Sequence, residues 1–174
     1  MYIVKKRDFE NINIREMKDS DKELIINWLK QKEIYESYLE NRLNSSQIED
    51  YFAKYLKASV YNRCYIIEYD RTPVGFIEQY PIQPNGEDSL LSVKICVGEL
   101  SCQDYGIASA SLEIVSQLIF DYYDIDYVVA NIPYDNQKAI KSFKRAGFKK
   151  KKSYIKNNKK HYFMAKFNKS HLFI

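Results

Sequence analysis

Apolar residues recur along this chain in two periods, and the change from one to the other falls within residues 93–122. Val93, Ile95 and Val97 alternate as strand residues do, whereas Ile107, Ile114, Val115, Leu118, Ile119 and Tyr122 return every three or four positions, as on one helix face. The pattern predicts a strand that feeds a helix through a short polar turn. Upstream, Ile12 and Ile14 alternate within residues 10–17 as a first strand, with Arg15 leading out. Ser20-Asp21-Lys22-Glu23 reads as a capping box ahead of a stripe of Leu24, Ile25, Trp28 and Leu29. Ser46-Gln47-Ile48-Glu49 repeats the box before Ile48, Tyr51, Phe52, Tyr55 and Leu56. Residues 34–44 between these helices are rich in tyrosine and charge (Tyr35, Glu36, Tyr38, Glu40, Arg42); they line a substrate mouth or cap one edge of a sheet.

Residues 63–69 and 74–82 read as two strands of a hairpin turned by Asp70-Arg71-Thr72-Pro73, the proline taking a position that suits its fixed φ. A second turn, Pro84-Asn85-Gly86-Glu87-Asp88, leads into the strand at 93–97, which makes three consecutive strands an antiparallel meander. Beyond the helix at 107–122, residues 125–132 form an apolar run suited to a buried central strand. Asp135-Asn136-Gln137-Lys138 caps a short helix carrying Ala139, Ile140 and Phe143 and closing at Gly147. Two last strands, around 148–155 and 161–167, meet at Lys156-Asn157-Asn158-Lys159. The expected order is β-α-α-β-β-β-α-β-α-β-β, an α+β sheet with helices on both faces. Such an order names no chemistry by itself.

Composition narrows the picture. A chain of 174 residues with 45% hydrophobic and 29% charged residues fits one domain, residues 1–174, that buries a core without disulfides or metal. With neither an apolar leader nor an uninterrupted apolar run of spanning length, the default expectation is a cytoplasmic protein with no membrane partner. Three cysteines (Cys64, Cys96, Cys102) without close paired spacing suit neither a disulfide framework nor a zinc site. A nucleophilic Cys102 needs a base, and His161 and His171 stand far along the chain. The net charge of +4 divides into −3 over the first hundred residues and +7 over the rest, so an acidic half suits a cation and a basic half a phosphate-rich ligand. Nucleic acid is disfavoured as a partner, because the basic end carries no RNA-binding motif. The tail His171-Leu172-Phe173-Ile174 is either a subunit contact of a homodimer or the frayed end of a monomer.

The turn Gln103-Asp104-Tyr105-Gly106-Ile107-Ala108 places small residues where a helix start leaves backbone N–H groups free. That is a cradle for phosphate or pyrophosphate, or else a corner whose glycine serves geometry alone. The segment resembles the Q/R-x-x-G-x-G/A acyl-CoA loop of the GNAT superfamily of N-acyltransferases, and Asn136-Gln137-Lys138-Ala139-Ile140-Lys141-Ser142-Phe143-Lys144-Arg145-Ala146-Gly147-Phe148 resembles that family's N-x-x-A-I-x-x-Y/F-x-x-x-G-F segment. The resemblance runs from Ile12 to Phe167. It implies a mixed, mostly antiparallel seven-stranded sheet with a splayed central strand pair, and acetyl-CoA as co-substrate. The edge of Ile95, Cys96 and Val97 then pairs with pantetheine. The resemblance further implies that the backbone of Gln103, Asp104, Tyr105, Gly106, Ile107 and Ala108 holds pyrophosphate, that Asn136 faces the thiol end or pantetheine, and that Lys138, Lys141 or Lys144 meets the adenosine 3′-phosphate.

Within the superfamily the chain is most similar to aminoglycoside 6′-N-acetyltransferases, which implies direct acetyl transfer to a primary amine of a small molecule. The alternatives are a protein N-terminal or lysine acetyltransferase, or a non-catalytic acyl-CoA-binding module. Two positions depart from the pattern. Lys94 stands where the resemblance places the acid that faces the amine, and Phe143 where it places a tyrosine acid. Glu78 on the neighbouring strand is the expected substitute base, with Glu99 as a second candidate; Tyr105 and Tyr134 are the candidate acids.

Overall fold

The computed structural model describes residues 11–39, 42–57, 59–82 and 90–169. Seven strands form one sheet: β1 (Ile12–Glu16), β2 (Arg63–Tyr69), β3 (Thr72–Ile82), β4 (Leu90–Val97), β5 (Tyr127–Pro133), β6 (Lys149–Lys156) and β7 (Lys159–Phe167), ordered β1-β2-β3-β4-β5-β7-β6. Helices α1 (Lys22–Lys30), α2 (Lys32–Tyr38) and α3 (Ser45–Leu56) cover one face, and α4 (Ile107–Tyr122) and α5 (Gln137–Arg145) the other. The expected fold class is present, and the element order departs from the expected one by a helix: three, not two, stand between β1 and β2. Of the neighbouring strands only β4 and β5 run parallel. The turn 84–88, Glu40 and the tail 171–174 lie outside the described residues.

Alternation decides which side chains meet which helices. Cys64, Ile66, Phe76 and Cys96 pack under α1–α3, while Tyr65, Ile67, Ile77 and Val93 pack under α4 and α5. Strand β3 changes phase at a bulge: Ile67 faces Gly75 but Glu68 faces Pro73, so Val74 is the extra residue. Its carbonyl accepts from both Gly98 and Glu99 N–H, 2.9 and 3.0 Å, and so pins the end of β4. Phe76 sits at the centre of the α1–α3 side, with Tyr38 edge-on at 5.1 Å and Phe52 at 5.3 Å.

Local chemistry corrects several boundaries. The hairpin β2–β3 turns on two residues, Asp70 and Arg71 at φ 48° and 67°, and Pro73 belongs to the strand. Two left-handed residues match the twist of the flanking strands, which a proline at the second turn position does not achieve. The box expected at Ser46 lies two residues earlier, where Asn44 and Gln47 exchange 2.9 Å bonds with each other's backbone N–H. The box at Ser20 does not form. Instead a short turn, Asp19–Asp21, precedes α1, and the Asp21 carboxylate accepts from Lys18 N–H at 2.8 Å. Helix α5 begins where expected, with Asn136 capping Ala139 N–H at 3.1 Å. It ends as expected at Gly147, φ 93°, where the bonds Phe148 N–H to Phe143 O and Gly147 N–H to Lys144 O close a Schellman turn.

Arg15 clamps Asp21 with two bonds of 2.7 and 2.8 Å and donates to Glu68 at 2.7 Å. The hydrogen bond from Arg15 holds the Asp21 carboxyl below its ordinary range, and those from Asn13 and Arg15 do the same for Glu68. Because both folded-state values are depressed, their stabilisation is complete above the unfolded carboxylate pKa of about 4 and is lost as pH falls through the folded values. Asp21→Asn is expected to lower stability by about 1–3 kcal/mol at neutral pH, by leaving Arg15 and Lys18 N–H short of their acceptor. Melting followed from neutral to acid pH checks this: the gap between wild type and variant closes below about pH 4.

Candidate active site

The site begins where two strands part. Among the described residues β4 and β5 share one register pair, Ser92 with Val129, after which the strands separate. From there β4 runs on along β3 to Val97, leaving the edge at Ile95, Cys96 and Val97 without a strand on its β5 side. A cavity of about 820 Å³ opens in the gap. Ile95, Cys96, Val97, Gln103, Asp104, Gly106, Ile107 and Ala108 line it from one side, and Asn136 and Lys138 from the other. Of the residues expected to hold the donor, Tyr105 is not among the lining, and its side chain is 78% exposed.

The loop between β4 and α4 has the backbone that anion binding needs. Asp104 and Gly106 both lie in the left-handed region, φ 70° and 82°, on either side of Tyr105. Gly106 is the N-cap of α4, and the first helical bond runs from Ala110 N–H to its carbonyl at 3.1 Å. The N–H groups of the first turn are therefore left for a ligand. Gln103 fixes the loop to β4 through its 3.3 Å bond to Val97 O. Lys138 reaches across from α5 to Asp104 at 3.7 Å and to Gln103 at 3.5 Å. Lys141 and Arg145 also line the cavity, while Lys144 does not.

A second chamber, about 600 Å³, adjoins the first. The two share Ser37, Tyr38 and Asn136 among their walls. Asn136 bridges these walls, its amide donating to Ser37 O at 3.2 Å while its oxygen caps α5. Glu33 and Glu36 on α2 and Asp135 bring carboxylates to the second chamber, and Lys156 and Lys159 at the β6–β7 turn bring cations. Helix α2, within the stretch for which a substrate mouth or a sheet cap is expected, lines both chambers through Glu33, Ser37 and Tyr38.

The expected catalytic side chains are scattered by comparison. Glu78 is fully buried on the α1–α3 side, where it accepts hydrogen bonds from the hydroxyls of Tyr38 and Tyr55. Its register partner on β4 is Lys94, whose Nζ stands 3.9 Å from the centre of the Tyr38 ring. Burial, reinforced by Glu78, pushes the Tyr38, Tyr51 and Tyr55 hydroxyls well above their ordinary values. Glu99 accepts from the Trp28 indole at 2.7 Å. Tyr134 is half exposed against Tyr162, and neither it nor Glu78, Glu99 or Tyr105 lines either chamber. Phe143 is a core residue, edge-on to Phe148 at 4.9 Å. Burial raises the Cys96 thiol out of the reactive range. Among the described residues no three His, Cys, Asp or Glu side chains are grouped to hold a metal ion, and no helix is long and apolar enough to cross a membrane.

Residues 17–155 match the family model described as the acetyltransferase (GNAT) domain. The chain belongs to the GNAT acetyltransferases. None of the curated proteins matches the sequence. The GNAT chain is similar to the solved structure of aminoglycoside acetyltransferase AAC(6')-Ib with paromomycin and acetyl-CoA, at TM-score 0.82 and 16% identity, covering 94% of this chain and 97% of that one. It is similar also to the aminoglycoside N(6')-acetyltransferase of Legionella pneumophila (TM-score 0.69, 21% identity, 90% and 92% covered). A third likeness is to spermidine N-acetyltransferase of Vibrio cholerae in complex with CoA and spermine (TM-score 0.76, 15% identity, 94% and 99% covered). At such identities these likenesses establish the shared fold.

As a GNAT enzyme the protein uses acetyl-CoA as co-substrate, and the lining of the larger cavity suits it: an open strand edge, a loop with free N–H groups and cations at the rim. Two carboxylates oppose the fit, Glu33 on the wall toward α2 and Asp104 in the loop. Asp104 sets a carboxylate beside the anion cradle. Asp104→Asn keeps a side chain that tolerates the left-handed backbone, removes the charge and frees Lys138. Its KM for acetyl-CoA is expected to be about two- to fivefold lower than that of wild type at low ionic strength, with the difference fading in high salt. Titrating acetyl-CoA at two salt concentrations checks it.

Proposed function

We propose that this GNAT enzyme transfers the acetyl group of acetyl-CoA directly to a primary amine of a small, multiply charged molecule, aminoglycosides and polyamines being the first classes to try. The observation that supports the reading is the junction of the two chambers at Ser37, Tyr38 and Asn136, across which a donor in one would meet an acceptor in the other. On the donor side the exposed edge of Ile95, Cys96 and Val97 would pair with pantetheine amides, replacing the strand that β5 withdraws. The loop N–H groups from Asp104 to Ala108 would hold the pyrophosphate, that of Gln103 being bonded to Leu100 O at 3.2 Å, with Lys138, Lys141 or Arg145 as charges for the 3′-phosphate.

On the acceptor side Glu36 and Asp135, with Glu33 on the wall shared with the donor cavity, favour an ammonium, while Lys156 and Lys159 oppose one at their end of the chamber and suit the hydroxyl oxygens of an aminoglycoside. The complexes of similar fold with paromomycin and with spermine support a cationic acceptor. Glu78 serves as the final base for the ammonium proton, and the transferred acetyl passes in one step from sulfur to nitrogen.

A panel of aminoglycosides, polyamines and N-terminal peptides, read as free CoA thiol, tests the reading. Thiol release with a small polyamine or aminoglycoside is the expected result. A rise in melting temperature with acetyl-CoA but no release across the panel overturns amine acetylation.

A further inference from the structure

Resting on that reading, we infer that Tyr38 is a catalytic residue: its hydroxyl receives the acceptor's proton while its own proton passes to Glu78. The buried carboxylate cannot meet the amine itself. Glu78 has no exposed surface, lines neither chamber, and has each oxygen occupied, Oε1 by Tyr38 and Oε2 by Tyr55. The two phenols share a partner but differ in place. Tyr38 lines both chambers at their junction; Tyr55 lines neither.

Two contacts hold Tyr38 in that position. Phe76 packs against it edge-on at 5.1 Å with the rings at 72°, and the Lys94 ammonium stands over its ring at 3.9 Å. A cation over the ring stabilises the partial phenolate that arises while the proton is in transit. Lys94 therefore has a use at a position where the aminoglycoside pattern leads one to expect an acid, and the acid stands on the adjacent strand as its register partner.

The step balances. An N–H bond of the acceptor ammonium breaks as an O–H bond forms at Tyr38 Oη, and the original Tyr38 O–H bond breaks as a proton joins Glu78 Oε1. The cation and the carboxylate become a neutral amine and a neutral acid, with Tyr38 a phenol at start and finish. The free amine pair then attacks the thioester carbonyl, the carbon–sulfur bond breaks, and the surplus proton on nitrogen passes to the departing thiolate, so that CoA leaves as the thiol. Burial and the nearby carboxylate keep the Tyr38 proton in place at rest, so both transfers occur together.

The test compares Tyr38→Phe with Tyr55→Phe at saturating acetyl-CoA, using kanamycin, spermine, ethylamine and trifluoroethylamine as acceptors. Tyr38→Phe is expected to lower kcat by about 10²–10³-fold with the basic amines, and Tyr55→Phe by less than about tenfold. The acetyl-CoA-induced rise in melting temperature stays as in wild type for both, which reports folding and donor binding separately. With trifluoroethylamine, which is largely unprotonated at neutral pH, the Tyr38→Phe deficit shrinks by about tenfold or more relative to ethylamine. Equal losses in the two variants, or an equal deficit for the two ethylamines, overturn the relay while leaving amine acetylation standing. A wild-type enzyme that turns over none of the panel overturns both.

Discussion

Glu78→Gln is expected to reduce kcat/KM by about 10²–10⁴-fold, the range for removing a positioned general base. The amide preserves shape and still accepts a hydrogen bond from one of the two tyrosines, but its NH₂ faces the other hydroxyl and it cannot take a proton. Stability should fall by about 1–3 kcal/mol, because a buried polar partner is left mismatched. Acetyl-CoA binding should not change, since Glu78 is no part of the donor cavity. Initial rates of thiol release, with a melting curve in the presence and absence of acetyl-CoA, separate the two effects. An unchanged kcat/KM removes Glu78 from the chemistry.

Gly98→Ala is expected to produce a large loss of stability. A Cβ built there stands 2.2 Å from Cγ and 2.3 Å from Cδ2 of Trp28, and Trp28 is 1% exposed. The indole cannot retreat, because it stacks against Phe76 and its N–H is bound to Glu99. Either α1 or the end of β4 must move, and overpacking of this kind costs about 3 kcal/mol. For a chain of this length that corresponds to about 6–12 °C in Tm. Donor affinity should fall as well, since the displaced residues adjoin Val97 and its bond to Gln103. The double variant Gly98→Ala with Trp28→Leu should recover part of the loss; additive losses rule out the clash as the cause.

Much of this was legible in the residues. The type of every element from β2 to β7 follows from period and turn chemistry, and the donor loop from small residues at a strand-to-helix corner. The caps were read late because Ser46 with Glu49 and Asn44 with Gln47 satisfy the same rule, and only the backbone chooses. Helix α2 escaped notice because its seven residues expose Glu33, Glu36 and Ser37 to the cleft, which weakens any apolar stripe. The face of Glu78 was undecidable from alternation, since the bulge at Val74 breaks the phase of the strand carrying it. Tyr38 was missed as a functional group, although a signal existed. An acid inside an otherwise apolar strand must find donors, and the tyrosines of the preceding segments, Tyr38 and Tyr55 among them, are the side chains that could supply them.

The shared wall at Ser37, Tyr38 and Asn136 also fixes the order of molecular events. In the proposed direct transfer a donor and an acceptor in adjoining rooms meet without a carrier on Cys96, which lines the donor cavity alone and whose thiol burial keeps firmly protonated. The proposed transfer then requires a ternary complex of enzyme, acetyl-CoA and amine.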